Sequence, residues 1–241
     1  MLFRKAILFI HGFAGGSYDY DALANDLQLY YDFDVYTFTL PGHDKTIIKD
    51  VTREDWINAA EKQIETLIKR GYKKIYVIGH SMGGVIACHI AKKYPQVKKL
   101  VLASPAFRYF TFKEDKLDLF ASLKQAPSLF KDYEVDNVLS RVFKLPISTT
   151  LEFINLVKEH NDDVKDILCP TLILWGNEDK IVPKEGAMHV FKNIKSDSIT
   201  FYEIDKVTHD IFKNDRYDEI LKIITIFLKN IAIPRKDINK I

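Results

Sequence analysis

Cysteines and long apolar runs are scarce in this 241-residue sequence. Of its two cysteines, Cys88 falls in a predicted core helix and Cys169 at the start of a predicted strand. Thiols in such positions argue against a disulfide framework and are typical of a reduced, intracellular protein. No apolar run approaches the roughly 18 residues of a membrane span, and the short run at residues 6–10 leads into His11-Gly12-Phe13 instead of a signal-peptide cleavage site. These absences predict a cytoplasmic protein without stable membrane insertion.

The sequence also lacks an excess of either charge and the usual cofactor motifs. Lysine and arginine total 35 against 33 acidic residues, so a nucleic-acid partner is not expected. Gly12, Gly15 and Gly16 do not form Gly-x-Gly-x-x-Gly, and no P-loop is present. Histidines and cysteines lack metal-ligand spacing. We therefore expect no cofactor and no metal, while the oligomeric state, monomer or dimer, stays open.

Short apolar runs alternate with segments of helical periodicity along most of the chain. This alternation indicates an α/β fold with a mostly parallel sheet and helices on both faces. The predicted strands are residues 5–10, 34–40, 74–78, 100–103, 171–175 and 199–204. The predicted helices cover residues 17–31, 52–70, 85–94, 183–192 and 216–231. Residues 234–241 are expected to be loosely held.

The alternation stops between residues 106 and 166, where aromatic-rich amphipathic stretches replace core strands. We predict a core of residues 1–105 and 167–241 with a helical insertion at residues 106–166. The insertion could be a set of packing helices without a chemical role. We favour a cap that lines an acyl pocket, because it follows the fourth strand at the carboxyl edge of the sheet, where such folds bind ligands.

The third predicted strand ends in Gly79-His80-Ser81-Met82-Gly83, and helix-forming residues follow at once. Strand, tight turn and helix are the setting of a nucleophile elbow, which exposes a serine hydroxyl at the tip of the sheet. The flanking glycines avoid collisions across the turn. Because Gly-x-Ser-x-Gly also arises by chance in loops, the prediction depends on finding a base, an acid and an oxyanion hole.

A serine nucleophile needs a base, and the base needs an orienting acid. Among the seven histidines, His209 lies just past the last strand, where a loop can reach the elbow. The others lie in the glycine loop, after a Pro-Gly pair, in the elbow or on predicted helices. Glu178 and Asp179 both follow the fifth strand, and either could orient His209, although an ordinary acidic turn is the alternative. The oxyanion hole is assigned to the N–H groups of Met82 and Phe13.

Four segments now carry a family resemblance: His11-Gly12-Phe13, Gly79 to Gly84, Gly176 to Pro183, and Thr208-His209. In this order they resemble the α/β-hydrolases, and from residue 7 to about residue 228 the chain is similar to small bacterial carboxylesterases and monoacylglycerol-lipase-like members. The resemblance implies Ser81 as nucleophile and His209 as base. It implies Asp179 instead of Glu178 as acid, because the family places aspartate before x-Ile/Val-Val-Pro.

Together these features predict a serine carboxylesterase that hydrolyses short- to medium-chain esters of small molecules through an acyl-enzyme. The alternatives within the fold are a monoacylglycerol lipase, an acyl thioesterase and a C–C bond hydrolase. A non-catalytic member that binds a small apolar ligand is disfavoured by the presence of serine, aspartate and histidine. The residues predicted to contact substrate are Phe13, His80, Phe107, Tyr109, Phe110, Phe112 and Val182.

Overall fold

The computed structural model describes residues 5–31, 33–43, 51–108, 112–113, 116–117, 147–230 and 234–241. The strands in these ranges are β1 (Ala6–Ile10), β2 (Asp34–Tyr36), β3 (Ile75–His80), β4 (Val97–Ala103), β5 (Phe112–Lys113), β6 (Lys116–Leu117), β7 (Thr171–Gly176), β8 (Ser198–Ile204) and β9 (Arg235–Lys240). The helices are α1 (Asp21–Tyr31), α2 (Arg53–Lys69), α3 (Met82–Lys93), α4 (Ile147–His160), α5 (Lys184–Asn193) and α6 (Tyr217–Lys229). None of these helices has the length and apolar character of a membrane span.

Seven strands form one sheet in the order β2-β1-β3-β4-β7-β8-β9, and every neighbouring pair is parallel. The predicted α/β class is thereby confirmed, with seven strands where about six were expected. Strand β2 ends at Tyr36 instead of Leu40. Strands β5 and β6 form a separate antiparallel pair.

The order of the strands reverses at β1. The chain passes from β1 to β2 on one side and then crosses to β3 on the other side. In open parallel sheets, ligands bind in the crevice outside the carboxyl ends of the strands at such a reversal. The glycine loop after β1 and the Gly-x-Ser-x-Gly turn after β3 therefore flank the same crevice.

Both faces of the sheet are covered, which explains the continuous apolar character of β1. Ala6, Leu8 and Ile10 join the core that includes α2, α3, α4 and α5. Ile7 and Phe9 join the core beneath α1 and α6. All five side chains are buried, so the strand has no polar face.

Strand β9 corrects the expectation that residues 234–241 are loosely held. It pairs with β8 over its whole length, from Arg235 opposite Ser198 to Lys240 opposite Glu203. Further backbone hydrogen bonds join Ile241 N to Glu203 O, at 3.1 Å, and Asp205 N to Ile241 O, at 2.8 Å. The sequence signal was missing because side chains of this edge strand are mostly exposed, and main-chain bonds hold it.

Helix α4 is the longest described piece of the predicted insertion. Its Phe153 and Leu156 are buried in the core shared with α2 and α3. At the start of α2, the Arg53 guanidinium contacts Glu152 Oε2 at 3.0 Å and Glu159 Oε2 at 2.7 Å, both on α4. Helix α4 is thus anchored to the core through apolar and charged contacts. The division of the chain into core and cap stays a prediction.

Candidate active site

The turn between β3 and α3 places Ser81 in a strained backbone conformation, with φ 53° and ψ −120°. Positive φ at a residue other than glycine costs on the order of 1–3 kcal/mol and is concentrated at functional sites. A Cβ at Gly79 would lie 2.4 Å from Gly83 O, and one at Gly83 would lie 2.0 Å from Ile10 O. Both positions therefore require glycine, because α3 approaches the ends of β3 and β1 this closely.

The loops after β7 and β8 bring Asp179 and His209 together. Asp179 Oδ2 accepts a hydrogen bond from His209 Nδ1 at 2.9 Å, and both side chains are buried. Asp179 Oδ1 accepts from the backbone N–H groups of Ile181 and Val182, each at 2.9 Å. Glu178 is exposed. The structure thus pairs His209 with Asp179 and leaves the neighbouring carboxylate in solvent.

Asp179 and His209 each stabilise the charged form of the other. Burial raises the pKa of Asp179, but the charge and hydrogen bond of His209 outweigh it and the net pKa is lowered. Burial likewise opposes the charged form of His209, but the Asp179 carboxylate outweighs it and raises the pKa of His209 above its ordinary value. Asp179 is therefore ionised and fixes the proton on Nδ1, which leaves Nε2 as the basic nitrogen.

Ser81 and His209 line one cleft that opens to solvent. Within the described ranges the two side chains form no direct hydrogen bond. In enzymes of this kind such bonds often tighten only when substrate binds. The cleft lining is Gly12, Phe13, Ala14, Gly15, Asp19, Tyr20, His80, Ser81, His209, Asp210, Ile211, Phe212 and Lys213.

His80 links the elbow to the loop that carries His209. Its Nε2–H donates to His209 O at 2.9 Å, and the two ring centroids lie 4.7 Å apart. Burial, with the nearby His209, lowers the pKa of His80 to about 4, so the ring is neutral near pH 7. The predicted pocket residue His80 therefore also holds the backbone of His209.

The loop after β1 is held by the His11 ring. His11 Nδ1–H donates to Gly12 O, and Nε2 accepts from Leu40 N–H, both at 2.8 Å. Burial, followed by the neighbouring His43, lowers the pKa of His11 to about 3, which keeps Nε2 available as an acceptor. The sequence placed His11 in the glycine loop without a role for its ring, whereas the structure gives the ring a bracing contact.

The two predicted oxyanion donors meet the elbow from opposite sides. A Cβ at Gly12 would lie 3.0 Å from Ser81 Cβ, so the loop carrying Phe13 touches the serine. Met82 is the first residue of α3, where an N–H has no partner within the helix. In the described ranges of the chain, the N–H groups of Phe13 and Met82 donate to no protein acceptor. Both donors are available to a ligand.

Charged side chains also line the cleft. Asp19 and Asp210 line it together with Lys213, whose Nζ lies 2.8 Å from Asp19 Oδ1. Sequence reasoning missed these residues. The position of Asp210 directly after His209 was the only signal, and Asp19 lies in a short helical turn far away in the chain.

Aromatic side chains surround Phe13. Its ring stacks on Phe153 with centroids 4.9 Å apart and meets His43 and Trp56 edge-on, at 5.8 and 6.1 Å. Phe153 comes from α4, so the predicted insertion packs against the loop that carries Phe13. The spacing of Trp56 in α2 predicted a core position, and Trp56 is fully buried.

The structure places two of the other predicted substrate contacts, Phe107 and Val182, away from the cleft. Phe107 and Val182 have no exposed surface and pack in the core, where Val182 O accepts a bond from Trp175 Nε1 at 3.0 Å. Neither lines the described cleft. Tyr109 and Phe110 lie outside the described residues. Phe112 is described only as backbone of β5.

The parallel sheet, the strained serine turn and the buried Asp179–His209 pair define an α/β-hydrolase. The chain belongs to the serine aminopeptidase S33 family, whose profile matches residues 3–216. It is therefore a hydrolase.

Named relatives support this assignment. The thermostable monoacylglycerol lipase of Bacillus sp. (strain H-257) is 27% identical over 197 residues, which cover 79% of this chain and 76% of that protein. The carboxylesterase of Bacillus subtilis (strain 168) is 24% identical over 91% of this chain and 93% of its own. The solved monoacylglycerol lipase of Paleococcus ferrophilus has the same fold, with a TM-score of 0.70 and 22% identity over 92% of this chain and 93% of that one.

Proposed function

We propose that this hydrolase is a serine carboxylesterase. Ser81 attacks the ester carbonyl, and His209 Nε2 takes the hydroxyl proton and passes it to the departing alcohol. Water, activated by the same nitrogen, then releases the acyl group from Ser81. The observation that carries the proposal is the buried 2.9 Å pair of Asp179 and His209, because His209 lines the same cleft as the strained Ser81.

The Phe13 and Met82 N–H groups are proposed to stabilise the oxyanion in both steps. They flank Ser81 from the β1 loop and from the N-terminus of α3, and neither donates elsewhere in the described chain. A single oxyanion donor contributes roughly 10²–10³-fold to kcat, so a shift of the β1 loop would reduce turnover severely.

The proposed substrate is a small ester with a short- to medium-length acyl chain. The Phe13 ring lines the cleft, stacks on Phe153 and offers an apolar contact for the acyl group, and we propose that residues 106–166 form the cap to which Phe153 belongs. Asp19, Asp210 and Lys213, which also line the cleft, favour an alcohol that bears hydroxyl groups. This polarity makes a monoacylglycerol lipase the second candidate, which agrees with the name of the Bacillus relative.

The Ser81→Ala variant tests the proposal against p-nitrophenyl butyrate, a monoacylglycerol and an acyl thioester. Loss of the nucleophile is expected to lower kcat by about 10⁶-fold on the ester, with the melting temperature preserved. Ser198→Ala, at the amino end of β8, is the matched control and should retain full activity. A fluorophosphonate probe should label the parent chain but not Ser81→Ala. Ester turnover by Ser81→Ala would refute the mechanism, and a preference for thioester would change the substrate class.

A further inference from the structure

A second cluster of chemically reactive side chains lies outside the cleft. It joins His89 of α3, His160 at the end of α4 and Asp163 in the helical turn Asp163–Asp166. Asp163 Oδ2 lies 3.3 Å from His89 Nδ1 and 2.8 Å from His160 Nδ1. One ligand atom from each of the three residues lies within 4.8 Å of the other two. Two imidazoles thus converge on a single carboxylate oxygen.

Other charged groups hold this cluster in place. Glu61 Oε1 of α2 lies 2.9 Å from His89 Nε2, the nitrogen that faces away from Asp163. Lys92 Nζ bonds Asp163 Oδ1 at 2.8 Å and leaves Oδ2 directed at the imidazoles. A carboxylate on the distal nitrogen of a histidine is the arrangement that orients metal-ligating imidazoles in proteins. The outer contacts of a metal centre are therefore present.

The inner positions are close to those that zinc requires. Zn–N distances of about 2.0–2.1 Å in a tetrahedron place neighbouring ligand atoms about 3.3 Å apart. The present separations of 2.8 and 3.3 Å need little adjustment. The side chains are 10–19% exposed, so an ion and a water ligand can reach them. Both ring nitrogens of His89 face carboxylate oxygens, and a metal ion at Nδ1 would replace its contact with Asp163.

We propose that His89 Nδ1, His160 Nδ1 and Asp163 Oδ2 bind a zinc ion, with water as the fourth ligand. Glu61 then accepts a hydrogen bond from His89 Nε2–H, and Lys92 Nζ keeps its hydrogen bond to Asp163 Oδ1. The linear spacing carried no signal for this site, because His89 and Asp163 are 74 residues apart and meet only through the fold.

The proposed ion has a structural role. It connects α3, which begins directly after Ser81, to α4, which carries the Phe153 ring stacked on Phe13. Holding the end of α4 against α3 would fix this part of the predicted cap relative to the elbow. The inference does not depend on the proposed ester hydrolysis, since metal binding is measured without substrate.

Isothermal titration of ZnCl2 into the tag-free, chelator-treated full chain tests the site. We expect one ion per chain and a rise in Tm of roughly 5–10 °C at a hundredfold excess over Kd. His160→Gln and Asp163→Asn should abolish both effects. Glu61→Gln should weaken zinc affinity about 10–100-fold. Glu65→Gln is the matched control, because Glu65 lies one turn along α2 and bonds Tyr94 instead of a cluster histidine.

Cobalt provides a readout that needs no variant. Co²⁺ bound by two imidazoles, a carboxylate and water should show the intense visible d–d bands of a tetrahedral ion, and excess Zn²⁺ should remove them. A folded parent chain that binds neither ion overturns the proposal. Unchanged zinc affinity in folded His160→Gln or Asp163→Asn overturns it as well, because the ion would then bind elsewhere.

Discussion

The Asp179→Asn substitution tests the proposed catalytic pair with almost no change in side-chain size. Asp179 Oδ1 accepts two backbone N–H groups, from Ile181 and Val182. In the variant these donors retain the amide oxygen, so the amide NH2 faces His209 Nδ1. Nδ1 must then accept a hydrogen bond, and the imidazole proton moves to Nε2. The base is held in the tautomer that cannot receive the Ser81 proton.

The expected loss follows from this tautomer. Asparagine in the place of a triad aspartate lowers kcat by about 10⁴-fold, which corresponds to about 5.4 kcal/mol in activation free energy. Turning the amide would restore the tautomer of His209. It would also place the NH2 against two backbone donors, at about 1–3 kcal/mol for each buried group left unpaired. Turning the asparagine side chain is therefore unfavourable, and the inactive tautomer of His209 should dominate in the variant.

Turnover of p-nitrophenyl butyrate by Asp179→Asn and Glu178→Gln measures the effect. Glu178 is the adjacent, exposed carboxylate, and its backbone N–H bond to Val207 O does not involve the side chain. Glu178→Gln should match the parent, and circular dichroism should show both variants folded. A loss of less than about tenfold in Asp179→Asn would refute the assigned role. An equal loss in Glu178→Gln would refute the choice between the two carboxylates.

Three further predictions concern packing, bracing and protonation. Gly83→Ala places a Cβ 2.0 Å from Ile10 O and should destabilise the fold by about 1–3 kcal/mol. In the control Gly84→Ala the nearest atom to the new Cβ is 3.0 Å away, so the melting temperature should change much less. Equal shifts in melting temperature would contradict the packing. His11→Leu unpairs the buried Leu40 N–H, whereas Gly12 O keeps its bond from Gly15 N–H, so the urea midpoint should fall by the equivalent of about 1–3 kcal/mol. An unchanged midpoint would exclude the bracing role. Only neutral His209 accepts a proton, and its pKa is raised above the ordinary value of about 6.5. As the pH decreases, kcat/KM should therefore begin to fall with a midpoint above about 6.5. A midpoint at lower pH would contradict the pairing with Asp179.

Local patterns predicted the elements that hold the site. The apolar run of β3, the glycines of the elbow and the helical periodicity of α3 involve neighbours in sequence, so they are readable before folding. The observed φ of 53° at Ser81 agrees with the strained turn that the motif predicts. Strand β9 escaped prediction for the opposite reason, since hydrogen bonds to β8 create it and its side chains carry no apolar pattern.

The local sequence could not distinguish Glu178 from Asp179 as the partner of His209. Both carboxylates follow β7, and only the family resemblance favoured Asp179. In the fold, the turn buries Asp179 beneath two N–H donors and turns Glu178 to solvent. The two carboxylates are adjacent in the chain, and the conformation of the loop decides which of them points toward His209.

The sequence by itself determined the class of the sheet, the strand-turn-helix around Ser81 and the short set of residues from which a triad could be assembled. These features depend on apolar periodicity and on glycine sterics, which are properties of short segments. Tertiary structure alone decided that His80 holds the His209 loop, that Asp19 enters the cleft and that His89 meets Asp163. Each of those contacts joins residues distant along the chain, and only the packing of the parallel sheet with its helices brings them within hydrogen-bonding distance.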